Sequence, residues 1–281
     1  MYPSVVVGYD GTKEGERALR WAVHDARIRR CELVVHHCWR WPYPIGHSDP
    51  DLEGVVRRMG RHVLENGVAL ARELAPTLRV HERLSAGPVY AALMHESYEA
   101  ELIVIGSHPP GSGSIGSTVL QLPGRALVPV VVVRRAAPEH RRIVVGVDGS
   151  AGSESALAFA FEEAALRGWP VEAVYGCWEP SAAAGSDLAL YADEDELARS
   201  CGATLQRAVA AWRQKYPRVE VDTSLVMEGP RTALLEAAER ADLIVVGDRG
   251  TGTVGPLVLG STSTALLQHS PCTVAVAHSV K

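Results

Sequence analysis

The residues of this chain best suited to chemistry lie in its second half. Gly247 and Gly250 are separated by two residues, and after nine more come Gly260, Ser261, Thr262 and Ser263. Glycines so placed let backbone approach a ligand closely and accept positive φ. Gly260 and Ser261 stand where a helix is expected to begin. The unpaired N–H groups and positive dipole end of a helix make a site for an anion such as phosphate. The hydroxyls of Ser261, Thr262 and Ser263 add donors, and the same residues also suit plain N-capping. A second feature is Asp148-Gly149-Ser150, which follows an apolar run and is echoed by Asp10-Gly11-Thr12. Its carboxylate can hydrogen-bond a sugar or a base edge. Asp-Gly followed by a hydroxyl residue also reads as a turn with a helix cap.

The elements that must position these residues come in two copies. At about 150 residues per domain, 281 residues suggest two domains. Gly8 recurs as Gly146, Trp39 as Trp178, Gly87-Pro88 as Gly229-Pro230 and Pro129 as Pro271. Ala100–Gly106 recurs as Ala241–Gly247, so the landmarks keep their order at an offset of 138 to 142. A period of that size is a domain duplication rather than a solenoid. The expected domains are 1–135 and 143–281. The Pro-containing stretch 136–142 is the linker, and the arginines Arg134, Arg135, Arg141 and Arg142 form a solvated hinge.

Within each half, short apolar runs alternate with helical patterns. Expected strands of the second half are Arg142–Val147, Val171–Cys177, Val219–Val226, Leu243–Gly247 and Thr273–Ala277. Helices are expected near Ser153–Arg167, Asp193–Tyr216, Arg231–Arg240 and Ser261–His269. First-half strands are expected at Val5–Tyr9, Leu33–Cys38, Arg79–Leu84, Leu102–Gly106 and Val130–Val133. These are nearly continuous Val/Ile/Leu runs, the signature of strands buried on both faces. The pattern predicts α/β architecture: two tandem doubly wound, five-stranded parallel sheets of order 3-2-1-4-5. Ligands in such sheets bind beyond the carboxyl ends of the strands, at the switch in winding direction. That switch falls between strands 1 and 4, which brings Asp148 and the Gly247–Gly250 loop to one crevice.

Several other functions lose support. The net charge is −5, which argues against a nucleic-acid binder, and aromatic residues at 6% are too few for a base-stacking surface. The five cysteines include no C-x-x-C pair and fit reduced thiols in a cytoplasmic protein. No apolar run approaches a membrane span, and the N-terminus shows no signal-peptide pattern. Gly250-x-Gly252-x-x-Gly255 and Gly111-x-Gly113-x-x-Gly116 match a dinucleotide fingerprint, but they follow strand 4 rather than strand 1. There is no P-loop and no nucleophile elbow. His36 and His37 are neighbours on a strand, face opposite ways and suit packing rather than shared metal ligation. Cys38 and Cys177 end strand 2 as core thiols, and Trp39, Trp41 and Trp178 beyond them suit rim packing.

At this point the chain resembles tandem universal stress proteins of the actinobacterial kind. The resemblance covers both halves. It rests on Val-Gly-x-Asp-Gly-Ser/Thr after strand 1, on the Ala-Asp/Glu-Leu-Ile-Val-Ile/Val-Gly strand 4, and on G-x2-G-x9-G-S/T. The last motif is complete at Gly247, Gly250, Gly260 and Ser261. The resemblance implies an adenine nucleotide α-hydrolase-like fold that binds ATP, with or without Mg²⁺. Asp148 and the backbone around Val147 would then contact adenosine, and the Cys177 backbone the adenine edge. Gly247, Arg249 and Gly250 would line ribose and phosphates, and Gly260, Ser261, Thr262 and Ser263 would hold the triphosphate.

The first half departs from this pattern. Gly106 is present, but Pro109 replaces the second glycine and removes a backbone donor. Gly116-Ser117-Thr118 either opens the final helix after a shortened spacer or, in the alternative alignment, the Gly-Ser pair has no counterpart. In that second alignment Pro123-Gly124 would interrupt the final helix. Asp10, Cys38, Gly106, Gly116 and Ser117 remain as partial site residues. The expectation is one full nucleotide site, in the second half. The implied function is a nucleotide-dependent stress or dormancy regulator with little or no catalysis. The competing functions are an ATP-hydrolysing or nucleotidyl-transfer enzyme and a nucleotide-independent scaffold. Pairing through Val130–Val133 and Thr273–Ala277 is also implied, as an internal pseudo-dimer that dimerises again.

Overall fold

The computed structural model describes residues 3–41, 49–108, 116–135, 137–177, 194–251 and 259–278. The chain divides into two compact units, Met1–Ala136 and Ala137–Lys281. The first unit runs β1 (Ser4–Gly8), α1 (Lys13–Arg29), β2 (Glu32–Trp39), α2 (Pro50–Leu74) and β3 (Val80–Ala86). It continues with α3 (Val89–Glu96), β4 (Leu102–Gly106), α4 (Ser117–Gln121), a 3₁₀ turn (Leu122–Gly124) and β5 (Val130–Val133). The second unit runs β6 (Ile143–Gly146), α5 (Ala151–Arg167), β7 (Val171–Gly176), α6 (Glu194–Lys215) and β8 (Val221–Val226). It ends with α7 (Pro230–Ala238), β9 (Leu243–Gly247), α8 (Ser261–His269) and β10 (Thr273–Ala277).

All pairings inside each unit are parallel. The first unit's strands lie in the order β3-β2-β1-β4-β5 and the second unit's in the order β8-β7-β6-β9-β10. Each unit thus has the expected 3-2-1-4-5 order. The switch point lies between β1 and β4 in one unit and between β6 and β9 in the other. The central strands are apolar on both faces: Val5, Val6 and Val7 are buried, as are Ile143, Val144 and Val145. The outer strands differ from the expected apolar run. His81, Glu82 and Arg83 on β3 and Asp222 on β8 are exposed, because a strand paired on one side needs less cover and a charged edge deters further pairing.

The first helix of each unit is built the same way. Gly11 (φ 78°) and Gly149 (φ 79°) turn the chain after strand 1 in the left-handed region that favours glycine. Thr12 then accepts a hydrogen bond from Gly15 N, and Ser150 accepts one from Ser153 N, each at 3.1 Å. The helix-cap role of these two residues is therefore real. The segment expected to be a solvated hinge is instead anchored. The buried carboxylate of Asp242 accepts hydrogen bonds from the backbone N–H of Glu139 (2.7 Å), His140 (2.8 Å) and Arg141. Arg142 Nη1 lies 3.0 Å from Glu172 Oε2, and Arg134 is buried. A charged acceptor with three donors holds a loop that composition alone reads as free.

Candidate nucleotide site

In the second unit, a cavity of about 320 Å³ opens at the carboxyl end of the sheet, between β6 and β9. The expected residues all line it: Val147, Asp148, Cys177, Gly247, Arg249 and Gly250 on one side, and Gly260 with Ser261, Thr262 and Ser263 on the other. They arrive from three connections, β6–α5, β7–α6 and β9–α8, which the β7-β6-β9 order brings together.

Asp148 is the knot of this arrangement. One carboxylate oxygen accepts from Ser150 N at 2.9 Å and the other from Thr251 N at 3.1 Å. It therefore ties the loop after β6 to the loop after β9. Gly250 has no room for a side chain, since a Cβ there would lie 2.3 Å from Asp148 Oδ2. The same loop presses on α5. A Cβ on Gly152 would lie 2.0 Å from the Arg249 carbonyl oxygen, and one on Gly247 would lie 2.5 Å from the Gly152 carbonyl carbon. The motif glycines thus permit a three-way backbone approach among β9, its loop and the first turn of α5. Arg249 is not an isolated cation. Its Nε and Nη2 lie 3.0 and 2.9 Å from Asp248 Oδ2, and its side chain remains 32% exposed at the cavity wall.

Gly260 is the N-cap of α8 in extended conformation, and no side chain caps this helix. The first intrahelical bond is Thr264 N to Gly260 O at 2.9 Å. The N–H groups of Ser261, Thr262 and Ser263 therefore carry the usual free valence of a helix start, in a nine-residue helix whose positive end opens at the cavity. Position 260 itself is roomy, because the nearest atoms to a Cβ there lie at 3.7 to 3.8 Å. One expected role is corrected. The Ser263 hydroxyl donates to the Gly247 carbonyl at 2.7 Å and is buried. It bolts α8 to β9, so only its backbone N–H is left to offer an anion.

The remaining wall is apolar and uncharged. Burial pushes the Cys177 thiol up to about 12, with a further contribution from Cys201, and its Sγ lies 3.8 Å from the Leu197 carbonyl. Burial also pushes Tyr175 up to about 12. Tyr175, Leu234 and Pro230 line this end together. Sequence reasoning missed them because their proximity depends on how β7 and α7 pack.

The first unit has a matching but altered cavity of about 240 Å³, lined by Asp10, Cys38, Gly106 and Gly116. Gly116 is the N-cap of α4, with φ −61° and ψ 143°, close to the −58° and 152° of Gly260. The alignment that gives Gly116-Ser117 the helix-start role is therefore the structural one. Ser117 is not among the residues lining that cavity. Helix α4 has only five residues and passes into the 3₁₀ turn at Leu122–Gly124, where Pro123 and Gly124 end it. Pro109, Gly111, Gly113, Trp178, Gly252 and Gly255 lie outside the described residues. His36 and His37 take different partners: His36 Nε2 lies 2.9 Å from Ser85 Oγ, and His37 Nδ1 lies 2.8 Å from the Tyr9 carbonyl. Burial lifts the Cys38 thiol to about 11. Among the described residues no group of three or more His, Cys, Asp or Glu is arranged to hold a metal ion. Among them, too, no helix is long and apolar enough to cross a membrane.

Fold and cavities define a protein of two tandem, doubly wound parallel α/β units, each with a crevice at its switch point. The model of the universal stress protein family matches residues 1–134 and again 139–278. The chain belongs to that family. It is 34% identical to universal stress protein Rv2005c of Mycobacterium tuberculosis, over 97% of this chain and 96% of that one. It is 29% identical to universal stress protein Rv2623 of the same organism, over 97% and 95%. Among solved structures, a universal stress protein from Archaeoglobus fulgidus has the same fold, with TM-score 0.74 and 19% identity over 98% of both chains.

Proposed function

We propose that the second unit binds ATP and that the protein acts as a nucleotide-dependent regulator in a stress or dormancy response. The observation that carries this reading is the meeting of the uncapped α8 N-terminus with Asp148 and the Gly247–Gly250 loop in one cavity. Triphosphate would lie on the N–H groups of Ser261, Thr262 and Ser263 and the hydroxyls of Ser261 and Thr262. Adenosine would lie toward Asp148, Val147 and Cys177. Mg²⁺, where present, would enter on the phosphate oxygens, as it commonly does in nucleotide sites. The names of the relatives support the stress role.

The site supports binding better than turnover. A nucleophile or general base must be free to move a proton. Here Ser263 Oγ donates to Gly247 O, both Asp148 oxygens accept backbone N–H groups, and Cys177 and Tyr175 stay protonated at neutral pH. The test is retention of radiolabelled ATP by the full chain and by Gly260→Asp. That substitution fits sterically and places a carboxylate where the phosphates would lie. Loss of retention in the variant supports the reading, and unchanged retention overturns it. Phosphate release at more than a few turnovers per hour would overturn the non-catalytic part.

A further inference from the structure

The first unit's cavity keeps one end of the second unit's cavity and replaces the other. The kept end is the one after strands 1 and 2, although His36 and His37 line it where Val174, Tyr175 and Gly176 line the second cavity. Tyr9 N donates to His36 O as Val147 N donates to Val174 O, both at 2.9 Å. Asp10 and Cys38 line the first cavity as Asp148 and Cys177 line the second.

The opposite end differs in two independent ways. First, Glu14 occupies the place of Gly152. A Cβ on Gly106 would lie 2.3 Å from the Glu14 carbonyl oxygen, just as Gly247 crowds the Gly152 carbonyl. At position 152 a side chain would collide with the Arg249 carbonyl, whereas position 14 carries a carboxylate. Its Oε1 lies 2.9 Å from Arg17 Nη2 and 3.4 Å from Nδ1 of His108, which also lines the cavity, and the side chain is 19% exposed. The Arg17 guanidinium is spent on Glu14 rather than offered to a ligand. A backbone hydrogen bond, with Arg17 and His108 nearby, holds the Glu14 carboxyl below the usual range, so it is ionised at neutral pH. Second, the helix at this end has five residues where α8 has nine, and its Val119 N–H is already bonded to the Gly116 carbonyl at 3.0 Å, so fewer first-turn amides are left for an anion.

We propose that the first unit's cavity is a nucleoside site: it takes base and ribose as the second unit does, while Glu14 and the truncated α4 exclude a phosphate chain. The assignment of the base-binding end rests on the nucleotide reading of the second unit. The ligand class is therefore a neutral, adenosine-like molecule, and the chain carries two unlike sites.

Calorimetric titration of the full chain with adenosine and with ATP tests this. Adenosine is expected to fill two sites and ATP one. Asp10→Ala reduces adenosine to one site. Thr118→Trp, which fills the half-buried rim, does the same without touching the α1 cap. Glu14→Gln narrows the first unit's preference for adenosine over AMP by about tenfold, corresponding to about 1.4 kcal/mol. A second ATP on the unaltered chain, or a single adenosine site unaffected by Asp10→Ala and Thr118→Trp, overturns the proposal. If ATP binds once and is lost in Gly260→Asp while adenosine also binds only there, this proposal fails and the second-unit reading stands. If ATP binds nowhere but adenosine binds in an Asp10-dependent way, the reverse holds.

Discussion

Gly152→Ala adds one methyl group at the tightest point of the second unit's site. The new Cβ would lie 2.0 Å from the Arg249 carbonyl oxygen and 3.1 Å from its carbonyl carbon. Ordinary carbon–oxygen contacts begin near about 3.3 Å, so the loop must retreat by roughly 1 Å. Such a retreat carries Thr251 away from Asp148 Oδ2, which it meets at 3.1 Å. Overpacking costs about 1–3 kcal/mol, and replacing a helical glycine by alanine returns up to about 1 kcal/mol. The net loss of stability is therefore about 0–3 kcal/mol. ATP binding requires the loop to return to its unaltered place against the overpacking cost of about 1–3 kcal/mol, so ATP affinity should fall roughly five- to a hundredfold. Paired thermal unfolding and ATP titration separate the two effects. ATP affinity within twofold of the unaltered chain would refute the claim that this close approach shapes the site.

Three further outcomes follow from particular contacts. Ser263→Ala leaves the buried Gly247 carbonyl without its 2.7 Å donor and should cost about 1–2 kcal/mol in urea unfolding. Asp242→Ala strips the acceptor from the Glu139, His140 and Arg141 amides and should destabilise the second unit by about 3 kcal/mol. Proteolysis within 139–142 should accelerate with it. Glu96 is held below its ordinary value mainly by His36, whose Nδ1 lies 3.3 Å from its Oε1, against the opposing effect of burial, with Arg83 assisting. Because its folded value is depressed, its contribution is complete above the unfolded value near 4.5 and is lost as pH falls through the lower folded value. The stability gap between the unaltered chain and Glu96→Gln should thus be largest near neutral pH and shrink below pH 4.5.

Much of the fold was legible because its signals are local. β4, β5, β9, β10 and α8 fall on the expected residues, since each is an apolar run or a helical pattern opened or closed by Gly or Pro. The 3-2-1-4-5 order followed from strand–helix alternation, and it brought the motif residues of the second unit to one crevice. What escaped depends on pairing across the fold. Asp242 lies about a hundred residues from the amides it holds, and nothing in the Arg-rich stretch announces an acceptor. The Ser263 hydroxyl turned out to face β9 rather than the cavity, a matter of helix rotation that residue type does not encode. Glu14 was legible in principle: Thr12-Lys13-Glu14 set beside Ser150-Ala151-Gly152 shows a charge replacing a glycine. Its weight emerges only once Gly152 is seen pressed against the Arg249 carbonyl.

The central claim is that one complete nucleotide site exists and that it belongs to the second unit. Isothermal titration of ATP into the full chain, read for stoichiometry and repeated on Gly260→Asp, tests this most directly. One ATP per chain, abolished by the substitution, is the predicted result. Two equivalent sites, or a single site indifferent to position 260, would contradict it.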